Sequence, residues 1–336
     1  MKWSVVIAAS SLLSSVCLAD GCSGSLPAGV VSKDATHTVN LNSGRLFHFH
    51  LPPGYDAKSP TPVYLSFHGA SKWPLAQEAL SRLSDSAFNP NGIAVYPKGI
   101  GNHLLSHPGT SVDSPNDIDY THDVLDWLES NLCVDTNRIY ATGKSNGGGF
   151  VNLLACDPTT NARIAAFASV SGAYYEDKLA RNCSPGRPVP FLSFHGTSDT
   201  TIPYTGKNAT YVFEHDDGKH DWKSPADVEL FHTTFPIEDW LKDWVSHNGI
   251  SKSTVPDTTT LFSGGLVEKR SWSRKGFSNL IEHYKESNLG HAWASKDPNI
   301  DCPTILNPKC PMGHYTFDAT NIIIKFFSKW TLGGSG

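Results

Sequence analysis

One segment constrains this fold more than any other: Ile139-Tyr140-Ala141-Thr142-Gly143-Lys144-Ser145-Asn146-Gly147-Gly148-Gly149-Phe150. An apolar strand runs into Gly-x-Ser-x-Gly and on into a glycine-rich helix start, which is the pattern of a sharp strand-to-helix turn that exposes a serine hydroxyl. That hydroxyl is a weak nucleophile until a base removes its proton, so Ser145 needs partners elsewhere in the chain. Gly143-Lys144-Ser145 also copies the end of a phosphate-binding loop. That loop requires a glycine where Arg138 stands, and the extra glycines here follow the serine instead of preceding it, so nucleotide binding is set aside.

Around this turn, short apolar stretches alternate with helical ones. Strands are expected at 45–51, 62–67, 92–96, 138–142, 165–169, 190–194 and 280–285, and helices at 75–87, 118–131, 147–155, 237–247 and 319–330. Val-, Ile-, Phe- and Tyr-rich strands alternating with amphipathic helices predict an α/β fold, a mostly parallel, doubly wound sheet with helices on both faces. Functional groups in such a sheet gather at the carboxyl ends of the strands. The phrase Leu-Ser-Phe-His-Gly occurs at 65–69 and again at 192–196 with unrelated flanks, marking two similar strand-to-loop corners.

The partners of Ser145 should follow it in the order acid, then histidine. The second Phe-His-Gly corner leads into Thr197-Ser198-Asp199, and Gly290-His291-Ala292-Trp293 follows the strand at 280–285. These positions assign His291 as the base and Asp199 as the group that orients it. Asp117, Asp119 and Asp123 are poorer acids, since they precede the nucleophile at a helix start where carboxylates favour the dipole. The oxyanion donors should be the backbone N–H groups of Asn146 and of Ala70, with His68 propping the Ala70 loop.

The N-terminus carries Lys2, apolar runs at 5–9 and 12–18, and a small residue at Ala19, the pattern of a secretory signal peptide over 1–19. The rest, 20–336, is expected to form a single domain. Removing the leader takes Cys17 and leaves Cys22, Cys133, Cys156, Cys183, Cys302 and Cys310, enough for three disulfides of many possible connectivities. Closing the shortest loops would join Cys156 to Cys183 and Cys302 to Cys310, leaving Cys22 for Cys133. No cysteines stand in metal-ligand spacing, and neither a metal nor a cofactor is expected. His48 and His50 share a strand face, read as solvated. The stretch 205–235 is dense in charge and includes the glycosylation sequon at Asn208, which fits a surface loop.

With 27 Lys+Arg against 32 Asp+Glu over 336 residues, the net charge of −5 and the lack of a basic cluster argue against nucleic acid or an anionic membrane as partner.

The motifs at 66–69, 138–150, 196–199 and 290–293 together resemble the secreted fungal feruloyl esterases of the polyhydroxybutyrate depolymerase/LpqC-like branch of the α/β-hydrolases. The likeness runs over nearly the whole mature chain. It implies a serine carboxylesterase releasing ferulic and related hydroxycinnamic acids from feruloylated cell-wall polysaccharide such as arabinoxylan, with a triad on Ser145, Asp199 and His291; apart from the resemblance, the chain is expected to be a monomer. Tannase-like feruloyl esterases place cysteines beside the acid and base, and this chain has none there. Acetylxylan esterases and short-chain polyester depolymerases share the architecture, and an inactive carbohydrate-binding relative is the non-enzyme alternative. An aromatic acyl pocket would favour the feruloyl reading, with Trp73, Tyr174, Tyr175, Ile202, Tyr204 and Trp293 as candidate liners.

Overall fold

The computed structural model describes residues 21–22, 24–30, 33–107, 116–176, 183–207, 233–261, 266–302 and 317–335. The expected signal peptide, Asn208, Cys310 and most of the 205–235 stretch lie outside these residues.

A ten-stranded sheet in the order β1-β2-β4-β3-β5-β6-β7-β10-β9-β8 forms the centre. Its strands are β1 (Ala35–Asn40), β2 (Leu46–Leu51), β3 (Thr61–Phe67), β4 (Ile93–Pro97), β5 (Val134–Lys144), β6 (Ala166–Val170), β7 (Phe191–Gly196), β8 (Asp257–Leu261), β9 (Val267–Arg274) and β10 (Phe277–Glu286). The six central strands, β4, β3, β5, β6, β7 and β10, are parallel. Antiparallel pairs close both edges.

The helices are α1 (Pro74–Ser81), α2 (Asp117–Asn131), α3 (Asn146–Cys156), the single turn α4 (Pro158–Asn161), α5 (Ile237–His247) and α6 (Ala319–Phe327). One apolar cluster joins Val124 and Leu128 of α2, Phe150 and Leu154 of α3 and Trp240 and Trp244 of α5 to one sheet face. A second joins Leu80 of α1 and Ile323, Phe326 and Phe327 of α6 to the other face. Burial on both faces explains why the central strands read as continuous apolar runs. The chain goes from β3 out to β4, then returns to place β5 on the other side of β3, so the carboxyl ends of β3 and β5 meet where the winding reverses.

The sequence reading misses β1, β8 and β9. β8 is exposed along almost its whole length and β1 is only half-buried on alternate residues, so neither carries an apolar signal. α1 stops at Ser81, short of the expected 87, because Arg82 turns left-handed (φ 53°) and its N–H bonds back to the Glu78 carbonyl. α6 ends before Trp330, which pairs in a short ribbon of β11 (Trp330–Thr331) and β12 (Gly334–Ser335). His50 is buried instead of solvated, with Thr36 Oγ1 3.2 Å from its Nδ1. Disulfides join Cys22 to Cys133 and Cys156 to Cys183. Cys302 is disulfide-bonded too, and its expected partner lies outside the described residues.

Candidate active site

Ser145 occupies the turn between β5 and α3 with φ 77° and ψ −109°, a conformation that costs a non-glycine residue about 1–3 kcal/mol. Backbone bonds hold it there: its N–H donates to the Val170 carbonyl (3.1 Å), and its own carbonyl accepts from Gly149 (2.8 Å) and Ala173 (2.9 Å). The close crossing depends on absent side chains. A Cβ on Gly147 would lie 2.1 Å from the Phe67 carbonyl oxygen, and one on Gly143 would lie 2.5 Å from the Gly147 backbone.

His291 reaches this turn from the loop after β10. Its Nε2 lies 2.8 Å from Ser145 Oγ, and its Nδ1 lies 2.7 Å from Asp199 Oδ2. Asp199 sits in the loop after β7, its side chain fully buried, and its Oδ1 accepts the N–H groups of Thr201 (2.9 Å) and Ile202 (2.8 Å). Burial alone would raise the Asp199 pKa, but hydrogen bonds from His195 and His291 and their nearby charge outweigh it and hold the carboxyl well below its usual range. Burial lowers the pKa of His291, and the Lys144 ammonium adds to that against the pull of Asp199. The imidazole is therefore neutral at physiological pH, with Nδ1–H toward Asp199 and a lone pair on Nε2 toward the serine.

The two Phe-His-Gly corners do the same mechanical job. His68 Nε2 accepts from Gly99 N–H (3.0 Å), which fixes its tautomer so that Nδ1–H donates to the Gly69 carbonyl (2.8 Å) and stiffens the loop bearing Ala70. His195 Nε2–H donates to the Ile202 carbonyl (2.8 Å) and rigidifies the turn bearing Asp199. Asn146 is the first residue of α3, where backbone N–H groups have no intrahelical acceptor. Its side chain grips the neighbouring loop, accepting from Leu104 N–H (2.8 Å) and donating to Ser106 Oγ (2.7 Å). Asp117 is spoken for elsewhere, paired with Arg45 (2.6 Å) and accepting from Leu105 N–H (2.7 Å).

A cavity of about 190 Å³ opens beside Ser145 and His291, lined also by Ala70, Leu80, Lys144 and Asp301. None of the six expected aromatic or apolar liners borders it. Trp293 is buried in the second core cluster with its indole N–H on Thr320 (3.0 Å). Tyr174 stacks on Trp240 at 4.0 Å, and Tyr175 is half-buried and bridges to Thr234. Ile202 is buried in the Asp199 turn, while the Tyr204 hydroxyl meets Glu238 and His283. Trp73 caps α1 and stands 57% exposed under the Lys98 ammonium. Lys144, inside the serine motif itself, and Asp301 also line the cavity, and neither carries a local sequence signal of that place.

No family model matches the chain. Feruloyl esterase B of Piromyces equi is 29% identical over 162 residues, 46% of this chain and 29% of that protein. Feruloyl esterase C of Emericella nidulans is 28% identical over 177 residues, 51% of this chain and 61% of that protein. The matched segments thus span less than two thirds of either relative. Among solved structures, an acetyl xylan esterase from Aspergillus awamori superposes with a TM-score of 0.55 at 14% identity, over 77% of this chain and 94% of that one. That superposition carries the fold alone. The sequence matches are thus to feruloyl esterases, over about half of this chain, and the superposition gives it the α/β-hydrolase fold.

Proposed function

We propose that the chain is a secreted serine carboxylesterase that hydrolyses hydroxycinnamoyl esters of plant cell-wall polysaccharide such as arabinoxylan, releasing ferulic acid. In this reading the leader 1–19 is removed, residues 20–336 act as one monomeric domain, Asn208 carries glycan, and no cofactor takes part. The observation that carries it is the unbroken line from Ser145 Oγ through His291 to Asp199, at 2.8 and 2.7 Å.

The chemistry follows from that line. His291 Nε2 takes the Ser145 proton as Oγ attacks the ester carbonyl, and Asp199 stabilises the imidazolium that forms. The Ala70 and Asn146 N–H groups receive the developing oxyanion. His291 then returns the proton to the departing sugar hydroxyl, and water, activated by the same histidine, frees the acid from Ser145.

The test is ferulate release from methyl ferulate and from feruloylated arabinoxylan. Ser145→Ala should reduce kcat by about 10⁴–10⁶-fold, and a purified Ser145→Ala protein with full activity overturns the mechanism. Acetate release from acetylated xylan without ferulate release would shift the reading to an acetyl esterase. Failure of an organophosphate to label Ser145 would point to an inactive carbohydrate-binding relative.

A further inference from the structure

The cavity beside Ser145 contains a charged pair outside the triad. Lys144 Nζ lies 3.1 Å from Asp301 Oδ2, with the two side chains only 9% and 10% exposed. Both groups line the same cavity as Ser145 and His291, while Ala76, Leu80 and Ile300 supply apolar wall. Withdrawing two opposite charges from water carries a large desolvation penalty, and apolar residues of similar volume would often serve stability equally well. An ion pair retained at the reacting cavity is therefore better explained by what it meets there.

The position of the pair sharpens this. Lys144 is the last residue of β5, one bond from the nucleophile, so its stem is fixed by the sheet. Asp301 is fixed from the other side: its Oδ2 accepts the Trp293 N–H (2.9 Å), and Asn299 Nδ2 donates to the Trp293 carbonyl (2.9 Å). The pair is thus anchored to the elbow at one end and to the His291 loop at the other. A cavity of about 190 Å³ has room for roughly six waters at ~30 Å³ each, more than an acetyl group fills. Apolar walls with one fixed donor and one fixed acceptor suit a flat aryl ring bearing a hydroxyl.

We propose that Lys144 and Asp301 recognise the ring hydroxyl of the acyl group, Asp301 accepting the phenolic O–H and Lys144 donating to the same oxygen. This rests on the hydroxycinnamoyl reading above and narrows it to acids with a free phenol. An ester whose phenol is methylated has no proton to give and leaves the buried pair without that contact. Sites built to bond a substrate hydroxyl reject analogues lacking it far more strongly than apolar pockets do.

The experiment compares kcat/KM of the full mature chain for methyl ferulate, methyl 3,4-dimethoxycinnamate and methyl cinnamate, with p-nitrophenyl acetate as a fourth substrate. Ferulate should exceed the dimethoxy ester by about 10–100-fold, the discrimination expected from a hydrogen bond to a charged group. Asp301→Asn and Lys144→Met, each checked for folding by thermal melting, should bring that ratio to within about threefold of unity. Comparable rates on all three cinnamates leave the hydroxycinnamoyl reading standing and overturn this proposal, as does a wild-type ratio retained in either folded variant. Turnover of p-nitrophenyl acetate with none of the cinnamates overturns the hydroxycinnamoyl reading itself, and this proposal with it.

Discussion

His291 Nδ1 lies 2.7 Å from Asp199 Oδ2 across 92 residues of chain, with the carboxylate fully buried behind the imidazole. That contact keeps the proton on Nδ1 and the lone pair on Nε2. Asp199→Asn preserves shape but presents an amide that can favour the wrong tautomer, so kcat on methyl ferulate should fall by about 10⁴-fold. A loss under tenfold would mean that Asp199 does not orient His291.

The pH profile should carry an acidic limb set by His291. Burial and the Lys144 charge lower its pKa below the ordinary 6.5, so the neutral base persists into mildly acid solution. Activity is expected to be flat through neutrality and to fall only below that value. Lys144→Met removes one of the lowering charges, and the limb of kcat/KM should then move to higher pH. A limb that stays in place or moves to lower pH would contradict the Lys144 effect.

Gly147 abuts the Phe67 carbonyl so closely that a Cβ would lie 2.1 Å from the oxygen. Backbone cannot yield as a flexible side chain can, so Gly147→Ala must separate β3 from the start of α3. Destabilisation by about 1–3 kcal/mol or more is expected in denaturant titration, with a loss of turnover because Ser145 and the Ala70 loop move apart. Full stability in this variant would show that the crossing is looser than the structure has it.

Cys22–Cys133 and Cys156–Cys183 close loops of very different length. Cys22–Cys133 spans 111 residues and Cys156–Cys183 spans 27, so loop-closure entropy assigns about 5 and about 3.5 kcal/mol respectively. Replacing the Cys22–Cys133 pair by serines should therefore lower Tm more than replacing Cys156 and Cys183. The reverse order would mean that native packing, not denatured-state entropy, governs their effect.

Glu286, at the end of β10, is fully buried, and burial pushes its pKa well above the ordinary carboxylate value. Because the folded state holds this proton more tightly than the unfolded chain, the stability it contributes is present below about pH 4.3 and is lost as pH rises toward the folded pKa. Glu286→Gln, which stays neutral, should raise Tm relative to wild type at pH 7–8 and lose that advantage near pH 4. An equal shift at both pH values would show that Glu286 is not a buried neutral acid.

The parts of this protein that rest on local patterning are legible in its residues alone. Strand, Gly-x-Ser-x-Gly and glycine-rich helix occupy consecutive residues, so the elbow is legible before any contact is known. Chain order and strand-end position are enough to pick out Asp199 and His291, because a parallel sheet delivers all its carboxyl ends to one rim. The central strands are legible for the same reason, being buried on both faces. Long-range packing sets the rest. β1 and β8 pair through backbone groups at the sheet edges and leave no apolar trace in their side chains. The aromatic residues following the catalytic corners looked like pocket lining, yet Trp293 and Tyr174 turn into the core, because a strand-end side chain faces core or cavity according to what packs against it. Lys144 and Asp301 are far apart in sequence, and nothing in either neighbourhood foretells the other. Their meeting beside Ser145 depends on the loop after His291 folding back over β5, a long-range packing event with no local signature.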